Sequence, residues 1–275
     1  MNKQLANKVL TSIVIALIFV ASIKIFGIAI KAISSDENNT VILGLIAEVL
    51  CIVTTLIILF CTHKQNIVKG TMSGFAKGIS AGGFLCGFAV LLFISFFVYD
   101  FSAEKVLPIS NIMIYVFSML VTGFTEEVVF RGVIYNTISE CFDTYSKKNV
   151  YISMIISSII FGLMHMSNIF SGVSLAGAIV QAGCAFGVGL YFCAIYVRCN
   201  NIWSVIVLHG LNDIASTLNA GVLGESDIVS NVSDYSPLKL IVMVLYIGLA
   251  MYVLRDSKFR IQDMACDNSK LMEEK

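Results

Sequence analysis

Charge is scarce in this chain. Asp, Glu, Lys and Arg make up 13% of its 275 residues and hydrophobic residues 57%, where a soluble domain carries about 25% charged residues. That balance excludes an ordinary water-soluble globule. Proline is nearly absent, with Pro108 and Pro237 the only two, so long apolar runs go unbroken. The formal net charge is zero, which leaves no basic surface for nucleic acid. Eight cysteines are scattered and form no C-x-x-C pair, so neither a disulfide framework nor a thiolate zinc site is expected. In apolar segments cysteine packs as a small hydrophobe. What remains is an all-α, polytopic membrane bundle, read as one integral membrane domain over residues 1–275 with the lipid bilayer as its solvent.

A helix needs about 20 apolar residues to cross the hydrocarbon core. Eight segments qualify: Val9–Ile33, Val41–Cys61, Gly78–Tyr99, Ile109–Ser139, Val150–Met166, Leu175–Val197, Ile202–Leu218 and Leu238–Leu254. The fourth is too long for a simple crossing, so it enters at an angle or lays its first turns along the interface after Pro108. Charges alternate between the connections. Lys3 and Lys8 precede the first segment, and Asp36 and Glu37 follow it. Lys64, Lys69 and Lys77 come next, then Asp100 and Glu104 beside Lys105. Lys147, Lys148 and Arg198 mark later basic ends, Glu225, Asp227 and Asp234 an acidic one, and Arg255, Lys258 and Arg260 follow the last segment. The positive-inside rule then puts both termini in the cytoplasm, in keeping with an even number of crossings.

The first segment has the lysines of a signal peptide, but its apolar run continues past Lys24 to Ile33, which favours an uncleaved helix. Residues 256–275 read as a polar cytoplasmic tail. Glycine pairs at helical spacing, Gly78/Gly82, Gly83/Gly87 and Gly183/Gly187, predict close helix packing within the bundle. No internal repeat, linker or second domain is evident.

Ionisable side chains inside a membrane are expensive and mark functional sites by default. Three stretches concentrate them: Glu126-Glu127-x-x-x-Arg131, Phe161-x-x-x-His165 and His209-x-x-x-Asp213. Glu126 and Glu127 are adjacent on a helix and point about 100° apart, so they face different partners. Glu127 and Arg131 share a face and predict an ion pair, which leaves Glu126 free for acid–base work. His209 and Asp213 likewise share a face. The third histidine, His63, falls in a Lys-rich loop and is given no role. A lone buried histidine is often a satisfied core residue, but two of them with this carboxylate–arginine set exceed that explanation. Counting about 1.5 Å per residue places Glu126 near mid-bilayer and His165 close to the outer face.

The stretch Glu126-Glu127-Val128-Val129-Phe130-Arg131-Gly132 resembles the E-E-x-x-x-R signature of the CPBP family, the CAAX-protease and bacteriocin-processing intramembrane glutamic endopeptidases also called Abi proteins. Ser158 to His165 resembles the family's F-x-x-x-H motif, and Leu208 to Asp213 its H-x-x-x-N/D motif. The order is right, and the likeness covers residues 110–215, the expected protease core. The resemblance implies that Glu126 and His165 activate a water for attack on a peptide carbonyl. It implies that His209 and Asp213 stabilise the oxyanion, with Glu127, Arg131 and Phe161 in support and no metal or organic cofactor. Asp213 departs from the asparagine common in the CAAX members. An ionised aspartate cannot donate to an oxyanion, so it is either protonated or orients His209. Asn212 is a neighbouring amide, three rather than four residues from His209.

Other readings compete. Glu126, His165 and His209 are a carboxylate-plus-two-histidine set of the kind that holds zinc, although H-E-x-x-H is missing. A proton-coupled transporter also buries Glu, Arg and His, but commonly shows repeats and broken helices. A non-catalytic scaffold or immunity protein would have no need of the full motif set. The expected partner is a membrane-tethered peptide or protein substrate. It is either a prenylated C-a-a-X protein or, as the compact Lys/Ile/Asn-rich chain of bacterial character favours, a peptide of bacteriocin maturation, self-immunity or signalling at a bacterial plasma membrane. Oligomeric state is not legible.

Overall fold

A computed structural model describes residues 3–33, 37–142, 146–225 and 239–255, and no strand occurs among them. The expected tail 256–275 lies outside these residues, as do Asp36, Asp227, Asp234 and Leu238. The helices are α1 (Lys3–Ile33), α2 (Glu37–Cys61), α3 (Met72–Ala81), α4 (Gly83–Ser95), α5 (Ile109–Glu127), α6 (Asn136–Ser139), α7 (Lys147–Met164), α8 (Leu175–Cys199), α9 (Ile202–Ser216) and α10 (Lys239–Val253). Six stretches are long and apolar enough to cross a membrane: Lys3–Ala29, Leu43–Cys61, Gly83–Asp100, Ile109–Ser139, Lys147–Ser171 and Leu175–Cys199. The eight expected crossings thus become six of full length plus two shorter apolar helices, α9 and α10, of 15 residues each. At about 1.5 Å per residue α9 falls short of the roughly 30 Å hydrocarbon core.

Local chemistry sets the helix starts. Ser146 and Ser174 accept the backbone N–H groups of Asn149 and Gly177, and Asn201 accepts those of Trp203 and Ser204, each satisfying donors that a helix leaves unpaired. The predicted third crossing is broken at Gly82, between α3 and α4. The break lies where the chain packs closely on α9: a Cβ at Gly78 would lie 2.1 Å from Ser204 Oγ, and one at Gly82 2.3 Å from Leu208 Cδ1. Gly187 meets α10 in the same way, 2.8 Å from the Met243 carbonyl oxygen. Gly83 and Gly87 do not pack as expected, since nothing lies within 4 Å of a Cβ at either.

The centre of the bundle is α8, buried without a break from Leu190 to Val197, as befits a helix apolar on all sides. It packs against α3, α7 and α10. Only Asn200 and Asn201 link it to α9, with Asn200 in the left-handed region at φ 46°. This tight connection folds α9 back beside α8, and α9 then takes α5 as its main neighbour.

Candidate active site

The contact between α5 and α9 puts the first and third motifs side by side. Two glycines make it close. A Cβ on Gly123 would stand 2.9 Å from the Ile206 carbonyl oxygen and 3.0 Å from the Gly210 nitrogen, and one on Gly210 would meet Leu120 at 2.9 Å. Gly123 precedes Glu126 and Glu127 by about one turn, and Gly210 adjoins His209. Gly123→Ala is therefore expected to wedge the helices apart, lowering stability by about 1–3 kcal/mol and reducing any activity that needs the two motifs in register. Gly83→Ala, facing open space, is the control and should not lower the melting temperature in detergent. Equal melting curves for the two variants would show that the close approach is unnecessary.

Just after Glu127 the helix widens. Val128–Tyr135 forms a π-type stretch, the kind of i→i+5 turn that frequently marks functional sites. Asn136 at its end donates through Nδ2 to the carbonyls of Gly132 (2.7 Å) and Arg131 (3.3 Å) and to the Tyr196 hydroxyl (3.0 Å), so carbonyls loosened by the wide turn stay satisfied within the membrane. The expected ion pair forms across its start. Arg131 Nη1 donates to Glu127 Oε1 at 2.7 Å, with side-chain exposures of 1% and 0%. Arg131 Nη2 donates to the Gly189 carbonyl at 3.2 Å, and its guanidinium lies 4.3 Å from the centroid of the Phe161 ring. Phe161 thereby serves as a cation–π lid on the arginine.

Glu127 has a second partner that spacing did not disclose. His209 Nδ1 lies 2.7 Å from the same Glu127 Oε1. Ionised against Arg131, Glu127 accepts there, so the proton sits on Nδ1. The imidazole also stacks on Phe192, centroids 4.9 Å apart at 23°. Its other nitrogen, Nε2, is 3.3 Å from Asp213 Oδ2 and 3.8 Å from Glu126 Oε2. Asn212 Nδ2 donates to Asp213 Oδ1 at 3.4 Å. His165 donates from Nδ1 to the Phe161 carbonyl at 2.9 Å, since a carbonyl can only accept, and this leaves its Nε2 as the acceptor.

Glu126, His165, His209 and Asp213 all line one cavity of about 540 Å³, together with Phe161. Glu127, Arg131 and Asn212 stand behind its wall. The depth count had separated Glu126 from His165. The element that carries His165 begins at Lys147 and runs on through a 3₁₀ segment, His165–Ser171, so the histidine lies inside the crossing rather than at its end. Among the described residues, no three His, Cys, Asp or Glu side chains gather in a metal-holding arrangement. Lys24 of α1 also lines the cavity. In the sequence Lys24 reads as an interruption of an apolar run, although a lysine inside a membrane helix is itself a signal. Glu48 of α2 is a second ionisable residue in an apolar helix, and it does not line the cavity.

A model of the Rce1-like family, type II CAAX prenyl endopeptidases, matches residues 108–215. The chain is 28% identical over 193 residues to a Bacillus subtilis (strain 168) protein named "Putative membrane peptidase YdiL", a match covering 64% of this chain and 71% of the relative.

Proposed function

We propose that the chain is a membrane peptidase of the Rce1-like, type II CAAX endopeptidase kind, a reading supported by the family match over residues 108–215 and by the likeness to a membrane peptidase, and that it cleaves its substrate with a water activated by Glu126 and His165. The observation that carries this reading is the shared cavity: Glu126, His165, His209 and Asp213, from three separate helical elements, open onto one space. Glu126 takes a proton from the water as its oxygen bonds to the peptide carbonyl carbon, and the Nε2 lone pair of His165 holds the second hydrogen. The carbonyl electrons move onto oxygen, and His209 Nε2–H faces that charge as the oxyanion donor. Glu127 supports the donor from behind by accepting from Nδ1. Asp213, 3.3 Å from Nε2, acts as an orienting carboxylate that favours the protonated ring. The C–N bond then breaks, and Glu126 returns its proton to the leaving amine.

The substrate in this reading is a peptide or protein tethered to the bilayer, reached from within a bacterial plasma membrane, with both termini of the enzyme in the cytoplasm. A peptide of bacteriocin maturation, self-immunity or signalling is favoured over a prenylated protein, a choice supported by the bacterial relative.

The test is cleavage of a fluorogenic, membrane-compatible peptide library by detergent-purified protein, as wild type and His165→Ala, with and without a chelator. Cleavage is expected to survive chelation and to fall about a hundredfold or more in the variant. Loss on chelation with recovery in zinc would move the assignment to a metallopeptidase. Turnover unchanged in His165→Ala would remove that histidine from the chemistry.

A further inference from the structure

We propose that the cavity lined by Glu126 and His165 opens toward the non-cytoplasmic face of the membrane, so that its substrate is a peptide or protein segment already carried across the bilayer. A translocation step must then supply the substrate before cleavage. This rests on the peptidase reading above and adds to it the side from which the substrate comes. Charge marks the two ends of the bundle. Lys8 of α1 and Lys64 after α2 both pair with Glu140, which follows α6, so these three helix ends lie together. Trp203 Nε1, at the start of α9, donates to the Val68 carbonyl at 2.9 Å in the connection that follows α2. Arg198, in the last turn of α8, donates to the Val253 carbonyl of α10 at 3.3 Å. The opposite end holds Lys105 paired with Glu225 at 2.5 Å, near Asp100 and Glu104. The positive-inside rule assigns the lysine-rich end to the cytoplasm.

The cavity is shut on that side. Phe19, Phe130 and Phe161 line it, and each is at most 2% exposed. They meet edge to face, Phe19 and Phe130 with centroids 6.1 Å apart and Phe130 and Phe161 4.9 Å apart. Past this aromatic floor the core is packed. Ile15, Ile134, Ile138 and Met154 are buried there, each one or two turns nearer to Lys8, Glu140 or Lys147. The polar part of the wall lies the other way. Asn168 and Ser171 follow His165, which stands about 27 Å from the Lys147 end at about 1.5 Å per residue. Ser216 and Thr217 follow Asp213 at the far end of α9, and all four residues line the cavity. Ser171 and Ser216 are exposed. Hydroxyls and amides at such a mouth let water reach irregular backbone and polar groups at membrane depth, and the peptide enters by the same route. A segment held at the cytoplasmic leaflet would have to pass the floor. A chain that has emerged on the far side meets the open mouth.

The test uses right-side-out and inverted membrane vesicles carrying the whole chain, treated with a charged, membrane-impermeant maleimide. Ser171→Cys and Ser216→Cys report the mouth, and Lys69→Cys reports the lysine-rich end. Each is read as labelling above wild type, whose own cysteines set the background. The mouth variants are expected to label in right-side-out vesicles and, in inverted ones, after detergent is added. Lys69→Cys should do the reverse. A membrane-impermeant fluorogenic peptide that the purified protein cleaves in detergent is then added outside both kinds of vesicle, made with wild type or Glu126→Ala. Cleavage that needs Glu126 is expected in right-side-out vesicles, and is expected to be lost in intact inverted ones and regained on permeabilisation. Labelling of the mouth cysteines from the cytoplasmic side, their failure to label from either face, or cleavage by intact inverted vesicles overturns the proposal. Labelling of Lys69→Cys in right-side-out vesicles reverses the orientation and overturns it too. If no peptide is cleaved even in detergent, the peptidase reading fails separately, and the labelling still decides which face the cavity opens to.

Discussion

Glu126→Ala is expected to lower kcat/KM for peptide cleavage by a factor of about a hundred to ten thousand, the range supplied by a positioned general base, while the protein stays folded. The two halves of that expectation have separate causes. Glu126 lines the cavity, with its side chain 19% exposed and His209 Nε2 3.8 Å away. It makes no ion pair with Arg131, whose guanidinium is engaged by Glu127 and the Gly189 carbonyl. Removing Glu126 therefore strands no buried charge, and the melting temperature in detergent should stay close to that of wild type. A variant that melts normally and still cleaves would show that the attacking water is activated by another group. A variant that loses cleavage in the test tube but keeps full cellular function would favour the scaffold or immunity role.

Glu127→Ala should show the opposite pattern, a large loss of stability with activity lost as a consequence. The alanine leaves Arg131, 1% exposed, buried without its carboxylate, a type of change that costs about 3–5 kcal/mol. It also frees His209 Nδ1, which loses its 2.7 Å acceptor, so the imidazole proposed as the oxyanion donor is no longer held. A double variant, Glu127→Leu with Arg131→Met, separates these effects. Apolar replacement of a whole buried pair is often neutral or stabilising, so the double variant should regain much of the melting temperature lost in Glu127→Ala and none of the cleavage. Melting of Glu127→Ala at the wild-type temperature would show that the pair contributes nothing to the fold. Recovery of cleavage in the double variant would show that Glu127 does not position His209.

These two carboxylates illustrate what was legible in one dimension. Residues four apart on a helix face each other whatever the rest of the chain does, so the Glu127–Arg131 pair, the shared face of His209 and Asp213, and the separate direction of Glu126 all follow from spacing alone. The apolar composition and run lengths are equally local, and they determined an all-α membrane bundle with its crossings close to where they lie. Even so, local counting misjudged three features. The third crossing broke at Gly82, where Leu208 of α9 takes the space. The element bearing His165 ran on to Ser171, which moved that histidine inward. Gly83 and Gly87 packed against nothing, because a small-residue pair states only that a close neighbour is permitted.

By itself, then, the sequence determined which residues share a helix face and that the helices belong in a bilayer, because both depend on interactions within a turn or on transfer of one segment from water. Only the tertiary structure decided that Glu127 grips His209 as well as Arg131, that Phe161 caps the arginine, that Gly123 and Gly210 let α5 touch α9, and that Lys24 opens onto the cavity lined by Glu126 and His165. Each of these joins residues dozens of positions apart. Their distance is set by how whole helices pack, and no periodicity along the chain encodes that.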